Sequence, residues 1–335
     1  VSSVPVEGLL RASEQEGSVR VSVVIPAFNE EVHIARCLEA LERQTVSKNS
    51  FEIVVVDNGS TDSTVAVARG FEEVLRLRVV AKTRCSISAV RNYGASLAAG
   101  TVLAFLDADC VARPGWLENA LAVARDGRIW GAPYLVPVDA TWVGRVWFKY
   151  QARQLDGEIS FLPGGDLFIC KSEFARVGGF NERVTTSEDV DICTRARGQG
   201  LEVVAYSSLG VFHEGTPRTL RGFYRQNRWH GEHVMRMFVD KLPSLKLLPI
   251  VGLSGYTLVM FWVALVGPCV AVFFHQWVIL GLPVVLLVLP AAALSLAKTA
   301  RRGGWVDGAP LFVLYLTYFL SRAAALTRVS TRRHR

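Results

Sequence analysis

Between Leu247 and Ala297 the chain has no aspartate, glutamate, lysine or arginine. That absence excludes an ordinary soluble fold for the stretch, which is long enough for two membrane crossings of about 20 residues each. The six cysteines, Cys37, Cys85, Cys110, Cys170, Cys193 and Cys269, show no CxxC spacing. A disulfide framework is therefore not expected, and reduced cytosolic thiols are. Residues 1–19 lack an apolar core of signal-peptide length and read as a mobile tail, so the globular part is expected to stay in the cytoplasm. No helix-turn-helix, zinc-ligand or aromatic RNA-binding pattern accompanies the net charge of +7, which argues against nucleic acid as a partner. Much of the excess instead flanks the apolar stretch or lies in the tail, as Lys298, Arg301, Arg302, Arg322, Arg328, Arg332, Arg333 and Arg335, where anionic lipid headgroups are the expected partner. Nor is there a basic glycine-rich triphosphate loop near the N-terminus, which argues against nucleotidyl transfer.

What is present from Arg20 onward is a βαβ rhythm. Runs rich in β-branched residues at 21–25, 52–56, 79–81 and 102–106 predict a largely parallel sheet. Ile34, Leu38 and Leu41 fall at helical spacing between the first two runs, and Val67, Phe71 and Val74 between the next two, after the helix-start residues Ser60, Thr61 and Asp62. In open α/β sheets the ligand crevice lies beyond the carboxyl ends of the strands, so the loops 26–30, 57–60 and 107–109 are expected to share one site. From Trp130 to about Phe180 mixed strands and loops are expected. Ser187 is placed as an N-cap for a helix to about Gln199, and a basic, aromatic helix is expected from about Pro217 to Lys241, lying along the headgroups.

Asp107 and Asp109, one residue apart at the end of an apolar strand, suit a hard cation and a ribose, with Mg2+ or Mn2+ the matching ions. Such a cation stabilises a departing diphosphate as a Lewis acid. Arg84 and Arg91 either contact that phosphate or form surface ion pairs. Glu188 and Asp189 stand at a helix start, where the dipole favours acidic side chains regardless of chemistry; if Asp189 is a base, the helix terminus is expected to keep it ionised. His213 either caps a loop or supplies a nitrogen to the metal of Asp109.

Taken in order, VSVVIPAFNE (21–30), VVVDNGSTDST (54–64), RNYGASLAAG (91–100), FLDADC (105–110), LPGGDLFICKSEFARVGGFNE (162–182), SEDVDICTRARGQG (187–200) and RQNRW (225–229) resemble glycosyltransferase family 2, with the GT-A fold. The resemblance implies that Pro26, Ala27, Asn29, Glu30 and Asn58 line the nucleotide-sugar pocket with Arg84 and Arg91, that Asp57 reads the base, and that Asp107 and Asp109 serve ribose and metal. It further implies that Asp189 is the base of an inverting displacement with Glu188 as neighbour. Gly165 and Asp166 fall with the acceptor and diphosphate, as do Arg225 and Trp229, while Arg228 belongs to the catalytic group through a (Q/R)xxRW element. Arg225 replaces the more familiar glutamine, and two clear spans are too few for a secretion channel. Transfer of one sugar, from UDP by analogy, to a membrane lipid or lipid-linked glycan of the cell envelope or an exopolysaccharide therefore fits better than polymer synthesis. A catalytically silent nucleotide-binding membrane scaffold is the alternative from another class.

The expected organisation is a tail (1–19), a GT-A catalytic domain (20–216), an interfacial amphipathic region (217–246), two transmembrane helices (247–297) and a basic loop with an interfacial or third membrane helix and a basic tail (298–335). The fold class is α/β, a mixed, mainly parallel sheet with flanking helices, followed by C-terminal transmembrane helices. Lys241 and Lys246 precede the first span and Lys298, Arg301 and Arg302 follow the second, while the turn at His275 and Gln276 carries no lysine or arginine. Both ends of the pair are then cytoplasmic, in the inner membrane. The segment from Ala309 to Ser321, bounded by Asp307 and Arg322, is short for a crossing. The donor sugar and oligomeric state are not written in these motifs.

Overall fold

The computed structural model describes residues 19–151, 156–184, 186–240, 248–273 and 278–327. The tail 1–18, Lys241 and Lys246, the turn at His275 and Gln276, and the arginines from 328 onward lie outside the described residues. Those described within Val1–Pro137 and Ala152–Gly215 form one compact unit, and those within Val138–Gln151 and Thr216–Arg335 a second.

The first unit is an α/β sandwich. Its elements run β1 (Val21–Ala27), α1 (Ile34–Glu42), β2 (Phe51–Asp57), α2 (Thr64–Arg69), β3 (Leu77–Ala81), α3 (Ile87–Leu97), β4 (Val102–Leu106), β5 (Cys110–Val111), α4 (Trp116–Ala122) and β6 (Arg128–Gly131). After α5 (Trp142–Gln151), which belongs to the second unit, come β7 (Gly157–Glu158), β8 (Asp166–Cys170), α6 (Lys171–Val177), α7 (Glu188–Gly198), β9 (Glu202–Ala205) and β10 (Phe212–His213). Eight strands form one sheet in the order β3-β2-β1-β4-β8-β6-β9-β7, parallel from β3 to β4 and mixed beyond β8.

Both faces of this sheet are covered, which is why β1, β2 and β4 read as unbroken apolar runs. Val21, Val23 and Ile25 pack on one side with Ile34, Leu38 and Leu41 of α1 and Trp116 and Leu117 of α4. Val24, Leu103 and Phe105 pack on the other with Phe174, Val177 and Phe180. This alternation is the period-2 pleat expressed in burial.

The second sheet is small but places a side chain. β10 pairs antiparallel with β5, His213 opposite Cys110 and Phe212 opposite Val111. This register sets His213 beside the residue that follows Asp109.

Several local expectations are corrected. Helix α2 ends at Arg69, so Phe71 and Val74 lie beyond it in turns; the apolar spacing continued past the hydrogen-bonded helix. Asp62 Oδ1 accepts from Thr64 N at 3.0 Å, and the helix starts later than the Ser60–Asp62 run suggested. Ser187 holds the N-cap position of α7 in the left-handed region, at φ 62°, with no side-chain capping bond.

The second unit holds α5, α8 (Leu220–Asp240), α9 (Leu248–Phe273), α10 (Val278–Arg302) and α11 (Gly308–Leu326). Among the described residues, three helices are long and apolar enough to cross a membrane: Leu248–Gly267, Gly281–Arg302 and Trp305–Leu326. The last differs from the short segment expected, because its helix runs through Arg322 to Leu326. In α5, Val143, Val146 and Tyr150 pack in one core with Phe223, Leu311 and Tyr315, while Trp142 stays 40% exposed.

Helix α3 comes unusually close to the sheet at Gly94. A Cβ there would overlap Val24 Cγ1 and stand 3.0 Å from Val56 Cγ2. Gly94→Val is expected to destabilise the first unit by about 1–3 kcal/mol through overpacking, read as a lower midpoint in chemical denaturation. Gly94→Ala should lie between that variant and the parent.

Candidate functional site

The loops after β1, β2 and β4 converge as the parallel topology requires. The first two are stitched together by hydrogen bonds. Asn29 Oδ1 accepts from Thr61 N at 2.8 Å, Asn29 N donates to Ser60 Oγ at 2.9 Å, and Glu30 N donates to Thr64 Oγ1 at 2.7 Å. Asn29 achieves this in the left-handed region, φ 55°, which asparagine tolerates better than most residues. A third loop is joined through Asn58, whose Nδ2 donates to Cys85 O at 3.1 Å and whose Oδ1 accepts from Cys85 N at 3.2 Å.

Below these loops lies a cavity of about 250 Å³ lined by Pro26, Ala27, Phe28, Glu30, Asn58, Ile87, Val90, Arg91, Asp107, Ala108, Asp109 and His213. Seven of the expected pocket residues, from Pro26 and Ala27 through Glu30 and Asn58 to Arg91, Asp107 and Asp109, thus line one space, with His213 beside them. Asp57, Asn29 and Arg84 are not among the lining. The Asp57 carboxylate instead accepts from Gly59 N at 3.0 Å and Ser60 N at 3.1 Å, holding the turn that follows its own strand.

Arg91 organises the floor. Its guanidinium, almost fully buried, donates through Nη2 to Asp107 Oδ1 and through Nη1 to Glu188 Oε1, both at 2.7 Å. It also lies 5.4 Å from the Phe180 ring centroid. The opposite oxygen of Asp107 accepts from Tyr134 Oη at 2.8 Å, and Tyr134 Oη in turn accepts from Gly165 N at 3.1 Å. The Gly164–Gly165 pair is sterically required here. A Cβ at Gly164 would stand 2.9 Å from Arg91 Nη1, and one at Gly165 would overlap the Asp107 carboxylate.

These contacts set the charge states. Burial raises the Asp107 carboxyl, but Arg91 and the Tyr134 hydroxyl more than reverse this, so it titrates below the ordinary carboxylate range. Glu188 is committed to Arg91. The carboxylate of its neighbour Asp189 accepts from the N–H of Val190 at 2.8 Å. Burial, reinforced by Glu188, pushes Asp189 up to about 6. Burial thus shifts this residue opposite to the direction expected from a helix terminus, while leaving it able to ionise near neutral pH.

Asp109 Oδ2 and His213 Nε2 stand 3.4 Å apart, and the Cys110 thiol completes a group whose ligand atoms lie within 4.8 Å of one another. Burial raises Asp109, with His213 opposing and Asp107 reinforcing the shift. It also holds Cys110 well above its usual range, so that side chain offers a thiol rather than a thiolate. Carboxylate oxygen and imidazole nitrogen without a thiolate fit Mg2+ or Mn2+ better than a soft metal. Gly215 keeps the space open, since a Cβ there would overlap Asp109.

Not every expected residue joins this set. Asp166 is fully buried in the core, its Oδ1 accepting from Trp116 Nε1 at 3.1 Å, and burial raises its carboxyl well above the ordinary range. The neighbouring Gly165 meets Asp107, but the Asp166 side chain packs with the apolar layer under the strand. Arg225, Arg228 and Trp229 lie on α8 in the second unit, with Arg228 Nε 3.5 Å from Glu232. Sequence reasoning missed Tyr134, which stands in an irregular stretch without a motif, and Phe28, Ile87 and Val90, which read as generic apolar positions.

Comparisons with known proteins converge on one family. The model described as glycosyl transferase family 2 matches residues 22–177, and that described as glycosyl transferase family group 2 matches residues 102–297. Glycosyltransferase AglE of Haloferax volcanii is 41% identical over 105 residues, 30% of this chain and 34% of that protein. The beta-monoglucosyldiacylglycerol synthase of Nostoc sp. is 24% identical over 238 residues, 64% of this chain and 49% of the synthase. The chain thus spans half or less of the length of these curated relatives. Among solved structures, the mannosyltransferase PcManGT of Pyrobaculum calidifontis, in complex with GDP-Man and Mn2+, superposes with a TM-score of 0.58 at 20% identity, covering 95% of this chain and 88% of that one. At this identity the likeness is one of fold.

Removing the Arg91 guanidinium leaves two carboxylates without their shared cation. Arg91→Ala is expected to lower stability by about 3–5 kcal/mol, and Arg91→Lys to recover only part of that because one ammonium does not reproduce the fork. Equilibrium denaturation in matched detergent checks both.

Proposed function

The chain belongs to glycosyltransferase family 2, and from that premise we propose that it transfers one glycosyl residue, with inversion, from a nucleotide-diphosphate sugar to a membrane lipid or lipid-linked glycan. The observation that carries the reading is how Arg91, which lines the cavity, is shared: it holds Asp107 and Glu188, and among the described residues no ion pair holds the carboxylate of Asp189. That is the state a general base requires.

In this reading the nucleoside lies against Pro26, Ala27, Phe28 and Asn58, and Asp107, oriented by Arg91 and Tyr134, accepts from the ribose. Asp57, Asn29 and Arg84 act through the loops they shape. Asp109 and His213 would hold Mg2+ or Mn2+, which when bound supplies Lewis-acid stabilisation to the departing diphosphate. Asp189 accepts the proton of the acceptor hydroxyl as its oxygen bonds to the anomeric carbon. The bond from that carbon to the diphosphate oxygen breaks on the opposite face, and the nucleoside diphosphate leaves with the electron pair. Arg225, Arg228 and Trp229 keep, as part of the proposal, the diphosphate and acceptor contacts that the family motif implies.

A uridine donor is proposed by analogy. A lipidic acceptor is supported by the helices long and apolar enough to cross a membrane and by the partial likeness to a beta-monoglucosyldiacylglycerol synthase. The basic flanks of these helices support placement of the catalytic unit on the cytoplasmic face of the inner membrane, with a role in envelope or exopolysaccharide synthesis.

Incubation of the nanodisc-embedded protein with a panel of nucleotide sugars, Mn2+ and native lipids is expected to release nucleoside diphosphate from one donor, with loss in chelator. Release from none of the donors with any lipid extract would count against the reading. Because the Asp189 pKa is raised to about 6 and the base acts ionised, kcat should be flat above about pH 7 and fall about tenfold per unit well below pH 6. Asp189→Asn should reduce kcat by about 10²–10⁴-fold and remove that limb, while donor affinity measured by calorimetry stays near the parent value.

A further inference from the structure

Helices α9 and α10 behave as membrane-crossing helices should within the second unit. Tyr256 Oη donates to Leu286 O at 2.8 Å between them, and Val259, Trp262, Leu265, Leu282, Val285 and Leu289 remain exposed. Helix α11 is different. Of its apolar window 39% is buried, against 11% for α9 and 17% for α10. Besides α9 and α10, which reach it through Leu253 and Ala291, α11 is covered by the pair α5 and α8.

The contacts run along the length of α11. Trp147 of α5 stands 5.7 Å from Tyr315 and 5.6 Å from Tyr318, and 4.8 Å from Phe223 of α8. Further along, α8 approaches so closely that a Cβ at Gly231 would be 2.8 Å from Ala325 Cβ and 3.1 Å from Arg322 Cδ. Helix α10 meets α11 too, through Ala291 and, at the start of α11, through Ser295 Oγ, which donates to Gly308 O at 2.7 Å. The turn before α11 is tied to α5 as well: Tyr150 Oη donates to Gly304 O at 3.1 Å and to Asp307 Oδ2 at 3.0 Å, and Lys298 Nζ donates to Tyr150 O at 3.2 Å.

A third crossing by α11 would therefore draw its partners into hydrocarbon. Helix α8 carries Arg221, Arg225, Arg228, His230 and Glu232, and arginine at mid-bilayer is strongly disfavoured. Helix α5, at ten residues, is about 15 Å long and too short to cross. Away from Leu311 and Leu314, α11 presents Ala309 and Val313 exposed and Leu316 and Leu320 half-buried at helical spacing, Leu316 in part against the core of the second unit. Trp305 and the exposed Arg301 and Arg302 stand at its start. An apolar stripe rimmed by arginine and tryptophan fits the boundary between acyl chains and headgroups.

We propose that α11 is a membrane-surface helix whose stripe 309, 313, 316 and 320 docks on the lipid interface, with α5 and α8 layered behind it and both of its ends on one side of the bilayer. This rests on α9 and α10 being the crossings. It also keeps Arg328, Arg332, Arg333 and Arg335 on the same side as Lys298, Arg301 and Arg302, in accord with the positive-inside rule.

Single cysteines at Val306, Thr327 and His275 test this in the full chain, in a parent carrying Cys85→Ser and Cys269→Ser, since Cys37, Cys110, Cys170 and Cys193 are buried. In sealed vesicles of both orientations, a membrane-impermeant maleimide is expected to reach Val306→Cys and Thr327→Cys from one side and His275→Cys from the other. Labelling of 306 and 327 from opposite sides overturns the proposal. Reaction of all three from one side removes the α9–α10 hairpin on which it rests, a different pattern. Spin labels at 309, 313, 316 and 320 read depth independently of access: similar values near the headgroups are expected, whereas a progression of about 1.5 Å per residue toward the bilayer centre would show a crossing.

Discussion

One buried guanidinium ties together parts of the chain far apart in sequence. Arg91 on α3 binds Asp107 at the end of β4 and Glu188 at the start of α7, so a strand end and two helices packed on one face of the sheet meet at one planar cation. The bidentate fork suits this in a way an ammonium does not. The surroundings are shaped to it: Gly94 lets α3 lie close to Val24 and Val56, and Gly164 leaves no Cβ against the guanidinium. Phe180 covers one side. Two carboxylates so close to one another in a buried setting need such a cation, and the cation has no other reason to be buried.

The same arrangement separates neighbouring carboxylates by role. Asp107 and Asp189 are both half-buried acids near Arg91, yet one lies below the ordinary range and the other is pushed up to about 6. The difference is direct bonding. Asp107 accepts from Arg91 and Tyr134, whereas Asp189 sits next to Glu188, which has taken the other half of the guanidinium. A pair of acids tuned apart in this way allows one to stay a hydrogen-bond acceptor while the other exchanges a proton near neutral pH. Their separation is set by hydrogen bonds rather than by burial alone.

Much of this was legible in the sequence because its causes are local. Strands β1, β2 and β4 announce themselves as apolar runs, and the acids at 107, 109, 188 and 189 stand beside strand and helix ends that periodicity locates. Membership in glycosyltransferase family 2 was legible from the order of motifs. Other features depend on long-range pairing, which no local pattern carries. Tyr134 matters only because the chain returns at Gly165, and His213 meets Asp109 through a two-residue strand paired with β5. Asp166 follows two glycines that pack on the site, but the pleat buries its own side chain against Trp116. The buried face of helix α5 likewise depends on Phe223 and Tyr315, which lie more than 70 residues later.

The account turns on Asp189 acting as a base on the acceptor, opposite the departing diphosphate. The most direct measurement is the anomeric configuration of the first product, read by proton NMR coupling after transfer from a donor of known anomeric configuration. Inversion at the anomeric carbon is the predicted result. Retention would contradict a single displacement and with it the role assigned to Asp189.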